Sequence, residues 1–210
     1  MAITSLTSEQ HTILWNDFRK GDQQAFSRIY ELFAPDLYRY GFNLVRDKQL
    51  VEDSLHELFL HLYHHKGTIG ATDSIKFYLF RALRNNLLHS LRKIKKFSLG
   101  DDLFQNSEFT VQPFESEIIE EQTLTLQKKM VMSELDKLPK RQKEILYLVY
   151  LKGLSYQEAA DVMEISIKSV YNTVNVALGS LRNYISKSAL REGAFWLAAG
   201  PILRMLFPNN

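Results

Sequence analysis

Residues 155–181 read SYQEAADVMEISIKSVYNTVNVALGSL, and the fold of the second half of the chain turns on them. Ser155 followed by Glu158 has the spacing of a capping box, which starts a helix there. Ala160 falls where two helix backbones must approach closely. Ser166 is a good N-cap for a second helix, to which Val170, Val174, Ala177, Leu178 and Leu181 give one apolar face. On a 100° wheel Lys168, Tyr171, Asn172 and Asn175 gather on the opposite face. A short helix, a tight corner and a helix with a polar outward face make a helix-turn-helix, whose second helix can enter a DNA major groove. An ordinary helical hairpin with a solvated face fits the same pattern.

Outward from this stretch, the helical periodicity continues in both directions. Upstream, Leu138-Pro139 opens a helix carrying Ile145, Leu146, Leu148, Val149 and Leu151, and Gly153 is placed to stop it. Before that, Glu117 to Leu135 is expected to be helical. Downstream lies an apolar tail, AFWLAAGPILRMLF at 194–207, too short to span a bilayer.

The first half has the same character. A short helix carrying Leu14, Trp15 and Phe18 is expected over 8–20. Gly21-Asp22 interrupts it, and Asp22 can cap a helix from Gln23 to Phe33, where Ala25, Phe26, Ile29, Tyr30 and Phe33 follow helical spacing. Pro35 is expected in a break or at the first turn of a further helix, Asp36 to Val45. Asp47 starts a segment to about His65, with Val51, Leu55, Leu58, Phe59 and Leu62 inward. KGTIGAT at 66–72 reads as a loop.

Asp73 or Ser74 caps the next helix, which runs to about Lys96. Ile75, Leu79, Leu83 and Ile94 are expected on its inner face, with Arg81, Arg84, Asn85, Arg92 and Lys95 opposite. From Ser74 to Gly100 there are seven Lys or Arg and no Asp or Glu. A solvated helix normally mixes signs, so a one-sign stripe suggests a polyanionic partner. Phe77, Tyr78 and Phe80 precede the stripe, and aromatics beside cations suit stacking on unpaired bases; such rings also serve as core.

Charge then reverses. Asp101 to Gln127 holds seven acidic residues and no basic ones. The fold class expected is all-α, with two small helical domains joined by an acidic linker, the second containing the helix-turn-helix. The boundaries are 1–96, a linker at 97–116, a second domain at 117–187, and the apolar tail at 188–210.

Composition narrows the function. The net charge over 210 residues is only +2, so nucleic-acid contacts must come from local patches. There is no cysteine, which removes disulfides, thiolate metal sites and a Cys nucleophile and suits a reducing cytosol. The N-terminus lacks the pattern of a signal peptide. No glycine-rich phosphate loop occurs. His61, His64 and His65 with Glu57 have a spacing that could ligate a metal, but equally form a polar helix face. No catalytic residue, metal, cofactor or small-molecule substrate is expected.

The two helical blocks and their order resemble the extracytoplasmic-function sigma factors of bacterial RNA polymerase, whose conserved domains are termed regions 2 and 4. The resemblance covers about 20–96 and 120–187. Gly21-Asp22, Ala25-Phe26 and Tyr30 match the family's opening motif, and Glu52-Asp53, Glu57 and Phe59 its polymerase-binding stretch. Phe77, Leu79, Arg84-Asn85 and Leu91-Arg92 match its −10 helix. Leu138-Pro139, Arg141, Gly153-Leu154-Ser155, Glu158, Ala159-Ala160, Ile165-Ser166 and Val170 match its −35 helix-turn-helix.

That resemblance implies a cytoplasmic, non-enzymatic transcription initiation factor whose partners are core RNA polymerase, promoter DNA and an anti-sigma protein. It implies that Lys168, Ser169, Tyr171, Asn172 and Asn175 meet −35 duplex. Phe77, Tyr78, Arg81, Arg84, Asn85, Arg92 and Lys93 would meet −10 single strand, with a base held near the 66–72 loop. Asp53, Glu57 and Phe59 would meet polymerase. Glu164 departs from the family pattern, since glycine is usual at that corner, and the recognition helix is poor in cations. A helix-turn-helix regulator acting on duplex DNA without polymerase, or a protein that binds only other proteins, are the competing readings. The first leaves the basic helix unexplained, and the second leaves both features unexplained.

Overall fold

Seven α-helices account for nearly all of residues 7–97 and 135–192, the residues described by this computed structural model, and no strand occurs among them. The chain divides into two compact units, Met1–Glu108 and Phe109–Asn210. The acidic linker, almost all of the helix expected over 117–135 and the 194–207 tail lie outside the described residues.

In the first unit α1 (Ser8–Arg19), α2 (Gln23–Val45), α3 (Lys48–His65) and α4 (Ile75–Phe97) surround one core. Local chemistry sets the starts. Thr7 and Gln10 form a capping box at α1. The Asp22 carboxylate accepts the N–H groups of Gln24 and Ala25 at α2, and Asp47 accepts that of Leu50 at α3. The Ser74 hydroxyl accepts the Phe77 N–H, at 3.3 Å, where α4 begins. Trp15, Phe18, Ile29, Leu37, Tyr40, Leu62, Ile75, Leu79, Phe80, Leu83 and Leu87 are fully buried. Each contributes about 1.5–3 kcal/mol relative to exposure. Gly41 is buried where α2 meets α3 and α4. A Cβ there would lie 3.0 Å from Val51 Cγ1 and 3.2 Å from Leu87 Cδ1.

Neither the break nor the helix start expected at Pro35 occurs, because α2 runs straight through it. A proline inside a helix costs about 3 kcal/mol or more. Here Ile29, Phe33, Leu37 and Tyr40 form one buried face across the proline, and keeping that face continuous outweighs the penalty. Pro35 and Glu31 are both exposed, on the side of α2 away from that buried face. Arg39 Nε donates to the Pro35 carbonyl at 3.2 Å and steadies the next turn.

In the second unit α5 (Lys140–Leu146) follows Pro139 and passes into a wider π turn, Tyr147–Leu151, which periodicity alone did not predict. Gly153, at φ +68°, stops it as expected. The Leu154 N–H closes the end on the Leu148 carbonyl at 3.0 Å. Then come α6 (Tyr156–Met163) and α7 (Ile167–Glu192). The Ser155–Glu158 capping box forms in both directions, at 2.8 and 3.1 Å. The Ser166 hydroxyl accepts the Ser169 N–H at 3.2 Å and caps α7. Ala159, Ala160, Val170, Val174, Ala177 and Leu181 are buried together.

Glu164 closes the α6–α7 corner at φ 56°, ψ 47°, the left-handed conformation that glycine would adopt without strain. Glu164→Gly is therefore expected to stabilise the second unit by about 0.5–1 kcal/mol, the relief of strain exceeding glycine's extra chain entropy. Its unfolding midpoint in denaturant measures this, and a lower midpoint would refute the strain.

Candidate nucleic-acid and polymerase interfaces

The outward face of α7 is built on its buried one. Because Val170, Val174, Ala177 and Leu181 anchor the helix inward, Lys168, Tyr171, Asn172 and Asn175 all stand exposed, as the wheel predicts. Ser169 is only half-exposed, and its carbonyl accepts the Thr173 hydroxyl at 2.7 Å. The Tyr171 ring meets that of Tyr156, on α6, nearly edge-on at 4.6 Å. The Tyr156 and Tyr150 hydroxyls lie 3.4 Å apart. Burial, with that hydrogen bond, pushes the Tyr150 hydroxyl up to about 12, so it stays neutral at working pH. Sequence reasoning passed over Val176. It is 56% exposed on the same face as the asparagines, and an apolar residue among polar neighbours was the available signal.

Helix α4 presents Arg81, Asn85, Arg92 and Lys93 to solvent. Arg84, Phe77 and Tyr78 are half-buried. The Arg81 guanidinium lies 6.0 Å from the Phe77 ring centroid, so cation and ring face the same way. Tyr78 packs against Trp15 with centroids 5.0 Å apart, and burial raises its hydroxyl pKa. Phe80 is core, set against Tyr40. Ile94 was expected inward but is 45% exposed, and it lies a turn or more beyond the fully buried Leu87.

The loop before α4 is held from behind by α1. Trp15 Nε1 donates to the Gly70 carbonyl at 2.9 Å, and Arg19 Nε donates to the Ile69 carbonyl at 2.7 Å. Ile69 is itself buried. The loop is thus fixed at two successive carbonyls beside the basic helix. Burial, together with the Lys76 ammonium, lowers the pKa of His11 on the same short helix.

On α3, Asp53 and Glu57 are exposed, and Gln49 donates to the Asp53 carboxylate at 2.9 Å. Phe59 does not share their surface. It is 5% exposed, and its ring lies 4.7 Å from that of Tyr30. The expectation that Phe59 itself meets a partner gives way to a supporting role, because an inward α3 position backs α2. Tyr30 is the exposed ring of the pair, and Leu60, next to Phe59 in the sequence, is exposed too. The His61 and His65 rings stack at 4.2 Å, and among the described residues no group of three or more His, Asp or Glu could hold a metal. Among them, too, no helix is long and apolar enough to cross a membrane.

Taken together, one unit carries a rigid helix-turn-helix with an open reading face. The other carries a cationic, aromatic helix beside a tethered loop, with a carboxylate face elsewhere. Comparison with known proteins agrees with this pairing. Residues 29–97 match the Sigma-70 region 2 model and residues 128–186 the Sigma-70 region 4 model. The ECF RNA polymerase sigma factor SigM of Bacillus subtilis is 36% identical over 163 residues, spanning 74% of this chain and 93% of that one. SigX of the same organism is 24% identical, over 81% of this chain and 87% of its own. Among solved structures, the sigma factor RpoE of Bartonella quintana, determined with the anti-sigma factor NepR, aligns with a TM-score of 0.56 at 20% identity. That alignment covers 77% of this chain and 96% of RpoE.

Proposed function

The chain belongs to the extracytoplasmic-function sigma factors of RNA polymerase, and from that membership we propose how its residues divide the work of initiation. Residues 1–96 bind core polymerase and capture the opened −10 strand. Residues 117–187 hold the −35 duplex, and the acidic 97–116 segment links them. The observation that carries this reading is charge placement. Cations and a ring stand together on α4, where an unpaired strand offers both phosphates and faces for stacking. The exposed amides of α7 suit base edges in a major groove, Asn pairing with adenine N6 and N7.

In the first unit Arg81, Arg84, Arg92 and Lys93 take phosphates and Asn85 takes a base. Phe77 offers a stacking face, and Tyr78 backs it from its place against Trp15. The tethered 66–72 loop receives a base turned out of the stack. In the second, Lys168 and Ser169 sit at the start of α7, where the helix dipole favours phosphate. Tyr171, Asn172 and Asn175 face the groove. Asp53 and Glu57 engage core polymerase, with Tyr30 as the exposed ring that Phe59 supports. The factor performs no chemistry of its own and works in the cytoplasm, where polymerase is. An anti-sigma protein restrains it, as NepR accompanies the Bartonella quintana factor.

A regulator acting without polymerase would not need the α4 stripe or the α3 carboxylates. A run-off assay separates the two. Added to core polymerase, the chain is expected to give discrete promoter-specific transcripts from a selected library. Duplex binding with no transcript above core alone would return the competing reading.

A further inference from the structure

The reading face of α7 is unusual in what it offers DNA. Between Ile167 and Leu181 the sequence holds a single cation, Lys168. The next, Arg182, lies about 15 Å further along the axis than Asn172. Bidentate guanine contacts come chiefly from Arg and Lys, so this face has little means of making them. Instead, two large apolar surfaces flank the asparagines. Tyr171 is 50% exposed and Val176 is 56% exposed. Taking Asn172 as the zero of a 100° wheel, Tyr171 falls near −100° and Val176 near +40°, with Asn175 and Lys168 between them. The buried residues Val170, Val174, Ala177 and Leu181 lie opposite.

Neither apolar side chain joins the core. Val176 stands among exposed polar neighbours, and a β-branched residue there offers a stiff surface with few rotamers to lose. Tyr171 is steadied by the Tyr156 ring, which is itself within hydroxyl reach of Tyr150. In the major groove the only apolar group on a base edge is the thymine 5-methyl.

We propose that Val176 and Tyr171 read thymine 5-methyl groups in the −35 duplex, making Val176 a specificity-determining residue on one flank of Asn172 and Asn175. This rests on α7 being the −35 helix. The face then favours A·T pairs twice over, adenine through the amides and thymine through the methyls, and a cytosine lacks the methyl contact.

Deoxyuridine differs from thymidine by that methyl alone, so it isolates the contact. Holoenzyme assembled from the full chain and core polymerase is titrated with promoter duplexes carrying thymine-to-uracil changes, one at a time, on both strands of the −35 element. Burying one methyl supports an expected weakening of about fourfold at one or two positions. Val176→Ala should erase the sensitivity at one of these positions and leave the others. Tyr171→Ala should erase another, while Tyr171→Phe keeps it. Val176 is exposed, so its replacement leaves folding intact.

A flat uracil scan with intact promoter binding would overturn the methyl reading while sparing the sigma assignment. Native sensitivity retained in both alanine variants would do the same. Holoenzyme that binds no promoter above core alone would remove both together.

Discussion

Holoenzyme carrying Arg81→Ala, Asn85→Ala and Arg92→Ala together is expected to open promoter DNA about 100-fold less effectively, with affinity for core polymerase changed by no more than about twofold. The three side chains are exposed on α4 and bury nothing, so their loss costs the fold little. Each contact between a charged or amide group and the captured strand is taken at about 1 kcal/mol. Three sum to roughly two orders of magnitude. Permanganate reactivity of −10 thymines measures opening, and co-sedimentation with core measures assembly. Added salt should narrow the contrast, because removing two phosphate-directed cations flattens the salt dependence of strand capture. Parallel losses of opening and assembly would mean that these residues hold polymerase rather than DNA.

Reversing charge at the other face should do the converse. Asp53→Lys with Glu57→Lys is expected to weaken association with core by about 100-fold or more, since like charges brought together at an interface cost several kcal/mol. Capture of a −10 single strand by the free protein should survive, as both carboxylates lie on α3 and the strand-facing cations on α4. Unchanged core affinity would move the polymerase contact elsewhere, with Tyr30 and Leu60 next in line because both are exposed.

What the sequence disclosed was whatever is written locally. Asp22, Asp47, Ser155 with Glu158, and Ser166 cap the helices they were expected to cap, because a cap bonds only to residues two or three positions away. The buried stripe of α7 was equally legible, since a period of 3.6 needs no knowledge of the partner surface. The misreadings all depended on neighbours distant in the chain. Pro35 breaks a helix by propensity, yet one buried face across it keeps α2 whole. Tyr30 and Phe59 carry the same period, and only the approach of α2 to α3 decides which ring is covered. Ile94 follows the apolar register past the point where there is a core to receive it. Val176 was overlooked for a related reason. Periodicity ranks an apolar residue by whether it can be buried, and is silent on one that belongs outside.

The grip of α1 on the 66–72 loop has a consequence for how such a factor can change. Trp15 and Arg19 hold the loop through the carbonyls of Gly70 and Ile69, and a carbonyl is offered by every amino acid. The side chain at Gly70 can therefore be exchanged without cutting the hawser, while Ile69, being buried, stays as ballast. Position and side-chain identity are thus separable along the loop, and under the role proposed for it the base preference can change without re-founding the domain beneath.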